Sequence, residues 1–409
     1  MNAKHTPQQA SVISRRHALK VPAAALLAAT LGPTLLAACG GGGDSPPLTG
    51  GTTPQSFSVG PINGLGSIIV GGVRFEDNSA RVEDDDGISH NRSALALGMM
   101  VEVHSSSIDD NLARATAAVI RFGSELKGPV ASVDASTQTL RMLDQTVEIR
   151  PETVFDPRLA GGFTALAVGQ ILEIHALLDN VRGRFLATRI ELEDNANEFR
   201  LRGLISALDT TAKTFNIGAA VINYAGVPVG DLPPLANGQR VRVRLQTRQV
   251  NGQWVAISVR SGARRVDDIA DARIRGFVTA FTSPQQFAVE GIAIDATNAR
   301  FEPGPGAVSL GALVEVRGRA SNGGIIASRV KAIDRLSDDW RRVELHGTAS
   351  ELDTTAKTFV LRDVKVNYSR VVEWKDGRET DLANGRALEV KGLWSEDRSV
   401  LFAAVIEFE

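Results

Sequence analysis

An all-β chain of five tandem repeats is what the sequence predicts. Three observations predict it: an octapeptide that occurs twice unchanged, a glycine that recurs about every 70 residues, and an alternating strand after each such glycine. The octapeptide Leu-Asp-Thr-Thr-Ala-Lys-Thr-Phe stands at 208–215 and again at 352–359. Each copy is followed by Leu-Ala-Asn-Gly, at 235–238 and 382–385. The marker glycines are Gly98, Gly169, Gly238, Gly311 and Gly385. The strands behind them run from Val101-Glu102-Val103-His104 and Leu172-Glu173-Ile174-His175 to Val241-Arg242-Val243-Arg244, Val314-Glu315-Val316-Arg317 and Leu388-Glu389-Val390-Lys391. Alternation of apolar and charged residues sends one face of a strand into a core and the other away from it.

Each repeat opens with a glycine inside an extended run (Gly60, Gly128, Gly203, Gly276, Gly347) and closes with an alanine-centred strand such as Phe185 to Ile190 or Ile325 to Val330. Two short β-rich pieces lie between, exemplified by Thr358 to Leu361 and Val364 to Asn367 around the turn pair Arg362-Asp363. That makes roughly five strands per repeat. A period near 70 exceeds that of most solenoids, so small separate domains are expected, each closed as an OB-like barrel or left as a semi-open sheet. The expected boundaries are 56–122, 123–195, 196–266, 267–337 and 338–409. Barrels this small have thin cores, and close packing into a curved rod is the expected arrangement.

The N-terminal part reads as an address. Lys4, Arg15, Arg16 and Lys20 precede an apolar stretch from Val21 to Ala38, the layout of a secretory signal. Pro22, Gly32 and Pro33 interrupt that stretch, which also falls short of the ~20 residues of a spanning helix. It ends in Leu36-Ala37-Ala38-Cys39-Gly40, which resembles the lipobox of bacterial lipoproteins. The resemblance implies a signal peptide over 1–38, cleavage before Cys39 and lipid attachment to its thiol. Two or more acyl chains hold a protein on a membrane. Cys39 is the only cysteine of 409 residues, which leaves disulfides, thiolate metal sites and cysteine catalysis without a second thiol. Ser14-Arg15-Arg16-His17-Ala18-Leu19-Lys20 resembles a twin-arginine export signal with Ala18 in place of the usual aromatic; a plain basic region for the general route is the alternative. Residues 39–55, rich in Gly, Pro, Ser and Thr, read as a flexible tether.

After the tether the chain resembles bacterial lipoproteins built from repeats of the uncharacterised domain DUF5666. Carrying the resemblance are the opening Gly-x-Ile/Val (Gly128-Pro129-Val130, Gly203-Leu204-Ile205), the segment Gly311 to Gly318 and the closing Ala187-Thr188-Arg189-Ile190. The first repeat departs from it at Ser105, where a second glycine is expected. The resemblance implies a location in the cell envelope, with the outer membrane favoured, and no catalytic residues.

Residues 1–38 hold four of the 45 basic residues and none of the 47 acidic ones, so the remainder carries −6. With aromatics at 5%, nucleic acid is not an expected partner. Four histidines follow the signal, His90, His104, His175 and His346. His104 and His175 share a repeat position that elsewhere holds Arg244, Arg317 and Lys391, which reads as a solvated strand face. His346 has no partner at metal-ligand spacing. The carboxylates Glu102, Glu173, Glu315 and Glu389 share another repeated position and read as solubilising surface. Glu83-Asp84-Asp85-Asp86-Gly87 lacks the alternation of a calcium loop and reads as a solvated hairpin tip. No cofactor, catalytic or metal residue is expected.

Charge differs sharply between repeats. Residues 200–265 hold ten basic and two acidic side chains, whereas 56–122 hold five and nine. Alternation places Arg240, Arg242 and Arg244 on one face, and Trp254 with Arg260 on one face of the closing strand. Together with Arg200 and Arg202 these form a candidate surface for an anionic polysaccharide or lipopolysaccharide. Electrostatic docking of the third repeat onto acidic neighbours is the competing expectation. The functional expectation is a non-catalytic envelope lipoprotein whose repeats serve structure or bind a ligand or another envelope protein. An enzyme with a site between repeats is the alternative, and it requires two carboxylates converging in an inter-repeat cleft.

Overall fold

The computed structural model describes residues 54–228, 231, 233–262, 264, 266–333, 342–395 and 400–409. The signal, the lipobox at Leu36 to Cys39, Arg15, Arg16 and nearly all of the tether lie outside the described residues. Among the described residues the helical pieces are 3-10 turns of three or four residues, and the rest is strand and turn.

Repeat 3 shows how one unit closes. Its opening strand Phe199–Asp209 pairs antiparallel with Thr214–Ile217, which pairs antiparallel with Ala220–Asn223. That third strand runs parallel to the closing strand Gln253–Ser261, which pairs back through Arg240–Val250 to the opening strand. The circuit has no free edge, and its order is that of the OB-fold. The other four repeats make the same circuit, each with one parallel pairing between its third and closing strands. Closed barrels, not semi-open sheets, are therefore the answer.

The duplicated peptide is a turn device. Asp209 Oδ1 accepts the N–H groups of Thr211 and Ala212, both at 2.8 Å, and Lys213 takes φ 57° to complete the turn. The asparagine of the Leu-Ala-Asn-Gly loop then reaches across, with Asn237 Oδ1 accepting the Leu208 N–H at 3.0 Å. Repeat 5 repeats every contact through Asp353, Lys357 and Asn384. A second device is a bulge between the last two long strands, found in all five repeats. It sits at Gly318 and Gly392 in repeats 4 and 5, where an added Cβ would meet the carbonyl oxygens of Ile326 and Phe402.

The thin barrel cores merge. Repeats 2 and 3 share one apolar cluster, repeats 1 and 5 another, and repeat 4 takes in Phe57 and Val59 from repeat 1. A small cluster of Met100, Leu177, Leu186, Phe277 and Leu313 joins repeats 1, 2 and 4. The opening strands meet one another directly: Ser56–Leu65 of repeat 1 runs parallel to Ile269–Ser283 of repeat 4 and then to Arg342–Thr348 of repeat 5. The opening strands of repeats 2 and 3 pair antiparallel at Leu126 and Leu201. Where a curved rod of packed neighbouring repeats was expected, repeat 1 is instead held by repeats 4 and 5.

Candidate functional site

Much of the charged surface of the barrels is turned toward other barrels where the opening strands converge, although Glu173 and Glu315 are only half-buried. This overturns several expectations about solvent. Glu102 and Glu389 are buried, as are His104 and His175. His104 packs edge-on against Phe57, and burial followed by the nearby Arg121 charge pulls its pKa down. His175 is enclosed among the Met100 N–H, the Gly123 carbonyl and Glu191. Burial alone would raise the Glu191 pKa, but His175 and Arg189 bring it to about 2.

Repeat 3 forms the hub of a buried ion network. Arg240 donates to Glu125 Oε2 and Glu290 Oε2, each at 2.8 Å. Arg202 reaches Glu125 Oε1 at 3.4 Å and also bonds Asp85. Arg242 donates to Asp86 Oδ1 at 2.6 Å and lies 3.3 Å from Asp85 Oδ2. Arg200 stands 3.8 Å from both Asp86 and Glu173. Arg264 adds a 2.7 Å bond to Glu102. The carboxylates come from repeats 1, 2 and 4, so four repeats meet at these guanidinium groups. Burial opposes ionisation of Asp85, yet Arg202, Arg242, Arg264 and Arg200 hold its pKa below the ordinary value. Glu125, fully enclosed, is held down in the same way by Arg240, Arg202 and Arg264.

Arg202, Arg240 and Arg242 are therefore not an open polyanion surface, as the competing docking expectation requires. Arg244 is tied to Glu198 of its own repeat at 2.6 Å, and Arg260 is exposed. Trp254 does not share a face with Arg260. The bulge at Ile257 shifts the closing strand by one residue, which reverses the facing of everything beyond it. Trp254 lies in the shared core of repeats 2 and 3, against Phe199, and donates to Asp144 Oδ2 at 2.8 Å. The acidic loop is likewise committed rather than a solvated tip. Glu83 bonds Arg121, Asp84 caps the turn by accepting the Asp86 and Ile88 N–H groups, and Asp85 and Asp86 enter the hub.

A second centre lies where repeat 5 meets repeat 1, around His346, which is 3% exposed. Its Nδ1 is 2.6 Å from Glu409 Oε1, and its Nε2 is 2.9 Å from Glu344 Oε1 and 3.5 Å from Glu389 Oε2. Arg74 of repeat 1 brings Nη1 to 3.2 Å from Nε2 and 3.8 Å from Glu389. Lys391 pairs with Glu389 and stands 3.8 Å from Glu344, and Arg362 bonds the His346 carbonyl oxygen. Burial would lower the imidazole pKa, but the Glu344 and Glu409 hydrogen bonds prevail and raise it. His346 thus has partners that residue spacing concealed: Glu389 faces it across the strand pair, and Glu409 follows the closing strand.

Two clefts border these contacts. One of about 610 Å³ lies between repeats 1, 4 and 5, lined by Asn63, Ile69, Lys331, Glu344, Lys391 and Leu393 among others. The other, about 770 Å³, lies between repeats 1, 2 and 5 and includes Arg92, Phe155, Asp156, Arg362 and Lys365. Among the described residues no helix is long and apolar enough to cross a membrane.

Fold and contacts together define a class, the proteins made of small OB-like barrels joined in tandem through their opening strands. Within that class the chain carries tandem repeats of the family described as "Domain of unknown function (DUF5666)", whose profile matches residues 127–191, 275–331 and 346–407. No curated protein matches the chain. A solved structure titled "drosophila Unr CSD456" aligns at 16% identity over 52% of this chain and 98% of its own, with a TM-score of 0.15.

Proposed function

We propose that the protein is a non-catalytic lipoprotein of the cell envelope, in which five barrels form one rigid body fastened to a membrane through Cys39. The observation that carries the structural part of this reading is the ion hub. Repeat 3 spends its most basic face on carboxylates of repeats 1, 2 and 4, an arrangement suited to fixing the barrels relative to one another. The anchor reading rests on Leu36-Ala37-Ala38-Cys39 and on the absence of any other thiol. Labelling cells with an alkyne fatty acid tests it: the wild type should carry label and sediment with membranes, whereas C39A should do neither. Label retained in C39A would overturn the anchor.

Ligand binding remains part of the proposal at the clefts beside repeat 1, where cations and carboxylates stand among apolar side chains. Binding of an anionic envelope polymer to repeat 3 would have to use basic residues outside the hub, of which Lys213, Arg248 and Arg260 are exposed and Arg244 is paired with Glu198. The enzyme alternative retains one candidate, the convergence of Glu344 and Glu389 on His346.

A further inference from the structure

The His346 centre goes beyond this reading. We propose that Glu344, His346 and Glu389 form a binding site for a divalent cation of the zinc class, with Glu409 orienting the imidazole.

Four features carry the inference. The first is donor chemistry: one imidazole nitrogen and two carboxylate oxygens lie within 4.8 Å of one another, a ligand set such cations accept. The second is geometry. Ligands held about 2.0–2.2 Å from a tetrahedral metal stand roughly 3.3–3.6 Å from each other. Here Nε2 is 2.9 Å from Glu344 Oε1 and 3.5 Å from Glu389 Oε2, so small side-chain rotations complete the face of a tetrahedron. The third is the nitrogen left over. Nδ1 meets Glu409 Oε1 at 2.6 Å, as a metal-binding histidine usually meets a carboxylate through its second nitrogen.

The fourth is charge. Glu76, Glu344, Glu389 and Glu409 surround Arg74, Lys391 and the backbone-bound Arg362, leaving negative charge in excess before the imidazole is counted. A cation must be recruited or the imidazole must carry one. Glu344 and Lys391 also line the 610 Å³ cleft, which supplies an entry path and a place for a fourth, exchangeable ligand. Arg74 and Lys391 occupy the carboxylates now, and both are long side chains that a divalent ion can displace. The ligands and Glu409 all belong to repeat 5, whereas Arg74 comes from repeat 1, so occupation exchanges the Arg74 contacts across that junction for a metal centre within repeat 5.

Titrating the purified full-length chain with Zn²⁺ against a fluorescent chelator tests the proposal. Wild type should bind one equivalent. E344Q and E389Q should each bind at least tenfold more weakly, and E409Q roughly 10–100-fold more weakly. R74M, which removes a competing cation, should bind more tightly. Loading with Co²⁺ should give the intense visible absorption of a four-coordinate site, lost in H346A. Glu409 is the most exposed carboxylate of the trio around the imidazole, so E409Q decides the matter if the more buried variants do not fold. Less than half an equivalent bound by wild type, or equal affinity in wild type and E409Q, would overturn the site and leave a protonated imidazole as the balancing charge.

Discussion

Truncation of Arg240 to alanine removes the guanidinium that Glu125 and Glu290 both depend on. Neither carboxylate can turn to water, since Glu125 is 0% and Glu290 1% exposed. Glu125 keeps only the longer 3.4 Å contact to Arg202, and Glu290 keeps the Phe277 N–H at 3.1 Å. Breaking one side of a buried pair costs about 3–5 kcal/mol, because the remaining charge stays desolvated. Against a typical total of about 5–15 kcal/mol, the loss is large. Replacing the whole triad by neutral groups, R240M with E125Q and E290Q, removes the stranded charges and should recover most of it. Urea unfolding followed by tryptophan fluorescence gives both differences, and hydrogen exchange should place the weakening where repeat 3 meets repeats 2 and 4. A loss under about 1 kcal/mol in R240A, or a triple variant no more stable than the single one, would refute the reasoning.

The hub also sets a pH dependence. Asp85 and Glu125 have folded pKa values below their ordinary 3.8 and 4.5, so their contribution is complete above that range and disappears as pH falls through the folded values; urea midpoints should drop on acidification below about pH 4.5, and less steeply in D85N. The pair D85N/D86N should loosen repeat 3 from repeat 1 and raise exchange rates along Arg81–Asp84, whereas unchanged exchange would separate the loop from the hub. Ala at Gly392 would drive a Cβ into the Phe402 carbonyl, with an expected cost of about 1–3 kcal/mol by denaturation. N384A removes the clamp on the Leu352 N–H and should cost about 1 kcal/mol.

The barrels were legible because their signals are local. Asp209 and Asp353 build the same turn from neighbouring N–H groups, and the Gly-led alternating strands mark where each barrel closes. What alternation does not say is what the outer face meets. Glu102, His104, Glu389 and the hub arginines are outward from their own cores, and water was the natural inference; the convergence of opening strands puts other barrels there instead. Trp254 was misplaced for a different reason, since parity along a strand holds only up to a bulge. Glu125 and Glu290 gave no signal at all, and Arg264 stood out only as one of the ten basic residues of 200–265. Their charged partners lie 50 or more residues away, in other repeats.

The pairing of Ser56 with Asp271 and of Gly64 with Glu344 bears on how such a chain can be made. The first repeat to leave the ribosome pairs its opening strand within its own barrel, but the edges that strand offers to the fourth and fifth repeats wait for nearly the whole sequence. Contacts this distant in sequence form slowly, and during that wait the strand is exposed to wrong partners. A stepwise passage through a narrow translocation channel would lengthen the wait, whereas transport after folding would end it. The arginine pair Arg15-Arg16, read as a signal for folded cargo, would then answer a need created three hundred residues downstream.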